Sequence, residues 1–376
     1  MDYRKRFNET VKHQQVDRVP FDLAGTSLTG MENPESIKNL QQCLGFTQPY
    51  DGWYTKFDDR ILRFFDIDIR RVGDILSPAS VFDGLSAGNI SVDCWGIKRT
   101  FTGLYWDIIK HPLKGATIRD LDSYPWPDPN RIDKTLIDEY RKQARKLYFE
   151  TDYVICGEHP IFGILELGCW MCGYDDFFLK MILDPAFVNK FFEKVLDYQK
   201  KVIEIYYGAI GEYIHFTTSG DDFGTQTGPF ISPVMFEKLI KPYFKERIDY
   251  TRTYTKAKFF HHTCGSVYPL IPHLIDIGVD ILNPIQPGAK DMEPEKLKQA
   301  FGNKINFHGG VDTQHILPNG TTEDVKREVF RVLDAFSKNG GYIFAPAHNI
   351  QPDVPPENII TMYKAAHQYF KLGDKA

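Results

Sequence analysis

The chain has 376 residues and a mass of 43.4 kDa, a length suited to one large α/β domain, and its net charge of -5, from 45 Lys+Arg against 50 Asp+Glu, argues against nucleic-acid binding. A hydrophobic content of 42% with 25% charged residues excludes bulk disorder, and no apolar run approaches the roughly 20 residues of a membrane span. Six cysteines are too few for a disulfide framework, and the opening MDYRKRFNETVKHQQ lacks the apolar core of a signal peptide, so a cytoplasmic location with free thiols is expected.

Short β-rich runs alternate with longer stretches at helical spacing along the whole chain. Eight runs are predicted as strands: 18–23 (RVPFDL), 67–72 (IDIRRV), 153–156 (YVIC), 213–217 (YIHFT), 258–263 (KFFHHT), 279–283 (VDILN), 304–308 (KINFH) and 342–345 (YIFA). Helix starts are marked by Asp184-Pro185, Ser232-Pro233, the run Asp291 to Pro294, Thr321 followed by Thr-Glu-Asp, and Pro355-Pro356. The pair Gly340-Gly341 is predicted to close the helix that begins after Thr321. Strand–helix alternation implies a parallel sheet, and eight repeats imply closure into a (β/α)8 barrel covering residues 1–376 as one domain. A doubly wound sheet is the alternative, but its G-x-G-x-x-G turn is absent. Residues 91–113 break the alternation. They alternate apolar and polar about Thr102 and Gly103, which predicts an antiparallel hairpin inserted after the second strand and lying over the barrel mouth.

In such barrels chemistry gathers at the carboxyl ends of the strands. Those ends carry Asp74, Glu158 with His159, Asp221 with Asp222, His262 with Cys264, Asn283 with Gln286, His308 with Asp312, and His348 with Asn349. Within FFHHTCG, residues two apart share a face of an extended strand, so His262 and Cys264 converge while His261 and Thr263 point away. An imidazole and a thiolate on one face suit Zn²⁺, whose catalytic sites take three protein ligands and leave one position open. His348 is the expected third ligand. Cys169 and Cys172 form a C-x-x-C in an apolar setting (LELGCWMCGY) with no second pair, which favours packed thiols. Glu166, in the same setting, is a candidate metal ligand or acid with a raised pKa, unless it pairs with Lys180 or an arginine. The aromatic content of 14% is mostly core, with some excess that suits a wide apolar mouth.

These strand ends, together with DILNPIQP, FHGGVD and the closing GGYIFAPAHNIQPDVPPENI, resemble the uroporphyrinogen decarboxylase superfamily, which includes decarboxylases and corrinoid- and zinc-dependent methyltransferases on a distorted (β/α)8 barrel. The decarboxylase branch carries arginines after the first strand, in a segment resembling R-Q-A-G-R. The matching DLAGTSLTGMENP has none, which leaves substrate carboxylates without counter-charges. Asp74 matches that branch's functional aspartate and His348 its late histidine, while Asp222 or a neighbour stands where its serine is expected. The methyltransferase branch matches more closely. Its His-x-Cys zinc ligands correspond to His262 and Cys264, and its later cysteine aligns with His348 in Ala345-Pro346-Ala347-His348.

The resemblance therefore implies a zinc-dependent methyltransferase that passes a methyl group from a small, O-methylated substrate to a corrinoid held by a partner protein. Zinc would sit on His262, Cys264 and His348. Asp74, Asp222, Glu166 and His348 would carry catalysis, and Asn283, Gln286 and His308 would contact substrate. The alternatives are a decarboxylating lyase acting on a porphyrinogen-like or other carboxylated aromatic substrate, and a tetrapyrrole- or corrinoid-binding protein without turnover. Members of the superfamily occur as monomers and homodimers, and neither nucleic acid nor a membrane is an expected partner.

Overall fold

The structure is a computed structural model that describes residues 1–31, 33–50, 57–76, 81–82, 88–102, 106–158 and 160–373. Its strands in chain order are β1 (Ile69–Val72), β2 (Val81–Phe82), β3 (Ile90–Val92), β4 (Lys98–Phe101), β5 (Trp106–Lys110), β6 (Val154–Gly157), β7 (Phe216–Thr217), β8 (Lys258–His262), β9 (Ile281–Ile285), β10 (Asn306–Val311) and β11 (Tyr342–Pro346). Seven of them form one parallel sheet in the order β1-β6-β7-β8-β9-β10-β11. Each barrel strand therefore pairs with the next barrel strand in the chain, with helices between them, which is the connectivity of a (β/α)8 barrel.

The eighth stave differs from expectation. Residues 18–23 form no ladder, only an isolated parallel bridge from Phe21 to Phe344. Asp22 N–H donates to Phe344 C=O and Phe344 N–H to Pro20 C=O, both at 2.9 Å, while Asp68 N–H donates to Phe21 C=O at 3.0 Å. The segment thus spans the gap between β11 and β1 and closes the ring. Pro20 has no N–H to give, and that limits the pairing to a bridge. The sheet is accordingly distorted at this seam.

Inside the ring, Ile69, Val154, Cys156, Phe216, Phe260, Ile281 and Ile343 form a cluster plugged by Phe7 of the helix Tyr3–Thr10 and by its C-cap residue Val11. Strand parity decides what faces inward. On β1, Arg70 turns outward, donating to Asp59 Oδ1 at 2.7 Å, so Ile69 and Arg71 turn toward the lumen.

The predicted hairpin at 91–113 belongs to a larger four-stranded antiparallel sheet, β2-β3-β4-β5. Gly103 of its turn lies outside the described residues. The two first strands have two and three residues, too few to show a period-two pattern. The insertion packs on the helix Ile164–Cys172, which leaves the carboxyl end of β6: the Arg99 guanidinium lies 5.4 Å from the Trp170 ring centre, and Leu113 N–H donates to Met171 C=O at 2.8 Å. That puts the sheet on the mouth side of the barrel.

Helix starts follow the sequence signals closely. Ser232 Oγ accepts Met235 N–H, Asp184 caps the 26-residue helix Pro185–Ile210, and Thr321 with Asp324 makes a reciprocal capping box on Thr322–Phe336. The helix Pro294–Phe301 starts at its proline without a side-chain cap. Among the described residues no helix is long and apolar enough to cross a membrane.

Candidate metal centre

His262 ends β8, and Cys264 follows two residues later on the same face, as strand parity requires. Its outward neighbour His261 packs at 4.6 Å centroid distance on Phe244 and takes a hydrogen bond with Ser219 through Nδ1. His262 Nε2 lies 3.2 Å from Cys264 Sγ. His348, two residues past β11, brings its ring to 5.3 Å from that of His262. Ligand atoms of His262, Cys264 and His348 all fall within 4.8 Å of one another, although β8 and β11 are three staves apart in the sheet order. Gly265, at φ +80°, turns the chain immediately after Cys264 against the Gly224–Thr225 backbone, where a Cβ would meet atoms at 2.5–2.8 Å.

A buried hydrogen-bond chain fixes the proton positions on His262. Asp22 Oδ2 receives His308 Nε2–H at 2.9 Å, so the other ring nitrogen of His308 is an acceptor. Asn283 Nδ2–H donates to that nitrogen at 2.9 Å. Asn283 Oδ1 then accepts His262 Nδ1–H at 2.5 Å, and the Nε2 lone pair of His262 is left facing Cys264. Asp22 is itself held by Gly25 N–H and the Thr29 hydroxyl, both at 2.9 Å. Asp22, Asn283 and His308 are wholly buried. Asn283 and His308, expected to contact substrate, thus stand behind His262 with no exposed surface. This is the arrangement that orients and polarises metal-bound imidazoles elsewhere in protein chemistry.

His348 is set differently. Its Nδ1 accepts the Asn349 N–H at 2.7 Å, so the neutral ring carries its proton on Nε2. Ligation by either nitrogen exchanges that contact: Nδ1 gives up the N–H for the ion, or the ring proton moves to Nδ1. Burial, with His262 beside it, pulls its pKa down to about 4, so the ring is neutral at physiological pH, as a metal ligand must be.

The electrostatics around the cluster are acidic. Asp222 Oδ1 accepts Cys264 N–H at 2.7 Å and lies 3.8 Å from His262 Nε2. Burial, followed by the Asp222 and Glu166 charges, pushes the Cys264 thiol well up. Glu166 is also raised, first by burial and then by Asp222 and Asp221. Asp221, of opposite parity to Asp222, accepts Glu166 N–H at 2.8 Å and Leu165 N–H at 3.1 Å and so anchors the start of the Ile164–Cys172 helix. The suggested partner of Glu166, Lys180, pairs instead with Asp176 at 2.5 Å. A thiol and two carboxylates with neutral imidazoles form a site that gains from a divalent cation, which would permit the thiolate that the bare site opposes.

Cys264 and His348 open onto a cavity of about 160 Å³ whose wall includes Gln286, Gln226, Asp312 and Gln314. Gln286 Oε1 accepts Gly265 N–H at 3.0 Å and its amide remains on the cavity wall. Asp74 lies elsewhere on the mouth. It accepts its neighbour Ile75 N–H at 2.9 Å and acts electrostatically on Arg71 and Tyr140. Cys169 and Cys172 are buried free thiols within the Ile164–Cys172 helix, as packing predicts. His159 lies outside the described residues. Asp22 and Arg71 carry no motif signal of their own in the sequence. Asp22 sits in the run taken as a plain strand, and only the inward parity of β1 could have singled out Arg71 from Arg70.

Comparison with known proteins places this site in context. The "Uroporphyrinogen decarboxylase (URO-D)" family model matches residues 118–369. The chain is 24% identical over 273 residues to a uroporphyrinogen decarboxylase of Geobacter sulfurreducens, covering 69% of this chain and 72% of that one. It is 36% identical over 80 residues to a uroporphyrinogen decarboxylase of Vesicomyosocius okutanii, covering 21% of this chain and 23% of the relative. Matches to further such relatives likewise span about a fifth of their length, 20% for those of Pseudoalteromonas translucida and Legionella pneumophila. A solved structure described as a methyltransferase from Methanosarcina mazei superposes with a TM-score of 0.67 at 18% identity, over 98% of this chain and 99% of that one, so the two share a fold end to end. With two thirds of its length covered by the family model, the chain belongs to the uroporphyrinogen decarboxylase family.

Proposed function

We propose that the protein is a zinc-dependent methyltransferase that moves a methyl group from a small, O-methylated substrate to a corrinoid carried by a partner protein. The observation that carries this reading is the aimed lone pair of His262 beside Cys264 and His348, at the edge of a cavity. His262, Cys264 and His348 would hold the metal. When bound, zinc supplies Lewis acidity toward the substrate's leaving oxygen. One thiolate and two neutral ligands would leave the ion with a net positive charge, which favours that polarising role over thiol activation.

The chain's own groups do the rest. The Asp22–His308–Asn283 chain holds His262 in the ligating tautomer. Asp222 keeps Cys264 on the metal side through its N–H. Glu166, whose pKa is raised by burial and by the Asp222 and Asp221 charges, would deliver a proton to the departing oxygen near Asp222. Gln286 would orient substrate from the cavity wall.

The test is metal analysis beside a methyl-transfer assay with a free corrinoid as acceptor. Purified protein is expected to hold one zinc, His262→Ala and Cys264→Ala none, and chelation is expected to stop transfer. Equal zinc in wild type and both variants would end the proposal. Turnover that releases CO₂ and survives chelation would establish the lyase instead.

A further inference from the structure

The loop after the barrel-closing segment, which carries no arginine, roofs a second cavity of about 460 Å³. Among the described residues its walls are Met31, Ile37 and Phe57 with the hydroxyl-bearing Thr26 and Ser27, and its cation is Arg71. Arg71 comes from the neighbouring stave, facing inward by the parity described above. Its one hydrogen bond among the described residues runs from Nη1 to Glu158 Oε2 at 3.4 Å. Glu158, wholly buried, is served more closely by Ser27 N–H at 2.5 Å and the Thr218 hydroxyl at 2.8 Å. The Glu158 carboxylate therefore engages one guanidinium nitrogen of Arg71, and Arg71 lines the cavity.

This compartment is linked to the metal centre through Asn349. Asn349, next to His348, accepts Gly30 N–H at 2.7 Å and donates to Ser27 C=O at 2.9 Å, clamping the cavity's loop to that strand end. Apolar walls, two hydroxyls and one guanidinium fork form the usual lining for an apolar body bearing one carboxylate. Glu158 and Asp74 flank the arginine and oppose a more highly charged group such as phosphate.

We infer that this cavity binds a monocarboxylate with an apolar body, and that Arg71 is its counter-charge in place of the cations missing from the loop. Resting on the methyl-transfer reading, that ligand is the methylated substrate, which then carries a carboxylate away from its methyl group.

The test uses benzoate and its neutral counterpart benzamide as probes, by calorimetry and ligand-observed NMR on the full chain. Wild type is expected to bind benzoate in clear preference to benzamide. Arg71→Gln is expected to weaken benzoate about tenfold or more, the usual worth of a charge-assisted pair, and to remove the preference. Ile37→Trp, which fills the cavity from its apolar wall, is expected to abolish binding of both probes. Cys264→Ala is expected to bind benzoate as wild type does, so the cavity is scored independently of zinc. No benzoate binding by wild type, equal binding of the two probes, or undiminished benzoate binding in Arg71→Gln or Ile37→Trp would overturn the inference. Zinc retained in Cys264→Ala with benzoate binding intact would instead strike the function proposed above.

Discussion

Replacing Asn283 by Leu keeps the branched four-heavy-atom shape of the side chain and removes both polar functions at the midpoint of the buried chain. Two groups lose their partners: His262 Nδ1–H, now at 2.5 Å from Oδ1, and His308 Nδ1, now at 2.9 Å from Nδ2. Neither can turn to water, since Asn283 and His308 are 0% exposed and His262 5%. Leaving a buried polar group unsatisfied costs about 1–3 kcal/mol, so the pair costs about 2–6 kcal/mol of stability. The larger consequence is chemical. Without its acceptor the His262 proton is free to sit on Nε2, which blocks the lone pair from Cys264 and from a metal. Loss of such a supporting contact typically lowers metal affinity about 10–100-fold. Competition for zinc against a chromophoric chelator, well below the variant's melting temperature, measures that loss directly. Wild-type zinc affinity in a folded, destabilised Asn283→Leu would refute the idea that this chain sets the tautomer of His262.

Other consequences are equally concrete. Zinc affinity should rise with pH through the neutral range, because the raised Cys264 thiol must shed a proton on binding; proton release measured by calorimetry in buffers of different ionisation enthalpy checks this. Burial raises the Asp221 carboxyl to about 7, above the ordinary range it has when unfolded, so the folded state binds more protons and stability falls as pH climbs from about 4 to 7. Urea unfolding of wild type and Asp221→Asn across that window should show the decline lessened in the variant. Gly163→Ala would set a methyl 2.2 Å from the Asp221 side chain; a drop of about 2 kcal/mol or more is expected, from forced repacking at the start of the Ile164–Cys172 helix. In the native protein a thiol reagent should modify the exposed Cys43 first and spare Cys156, Cys169 and Cys172, which are buried; a fast phase that persists in Cys43→Ser would contradict that.

Much of the barrel was legible because its strands overlap β-rich runs of four to six residues bounded by helix signals, and parity alone paired His262 with Cys264. The convergence of His348 on that pair was legible through the resemblance and through the rule that strand ends meet at one face. What escaped has physical causes. A stave interrupted by Pro20 reads as a strand but pairs only at Phe21. β2 and β3 are too short to declare a period. The roles of Asn283 and His308 depend on which side of His262 they occupy, behind it or in front, and residue type at a strand end does not say. Asp22 joins His308 across 286 residues of chain, a pairing that no local pattern announces. Arg71 looked like one of two equivalent arginines until the strand's neighbours showed which one turned inward.

Zinc K-edge X-ray absorption on protein reconstituted with one equivalent of zinc tests the metal centre most directly. The expected first shell is one sulfur at about 2.3 Å and two imidazole nitrogens at about 2.0–2.1 Å, completed by one light oxygen donor. A spectrum without sulfur, or one unchanged in Cys264→Ala, would contradict the assignment of His262, Cys264 and His348 as the site.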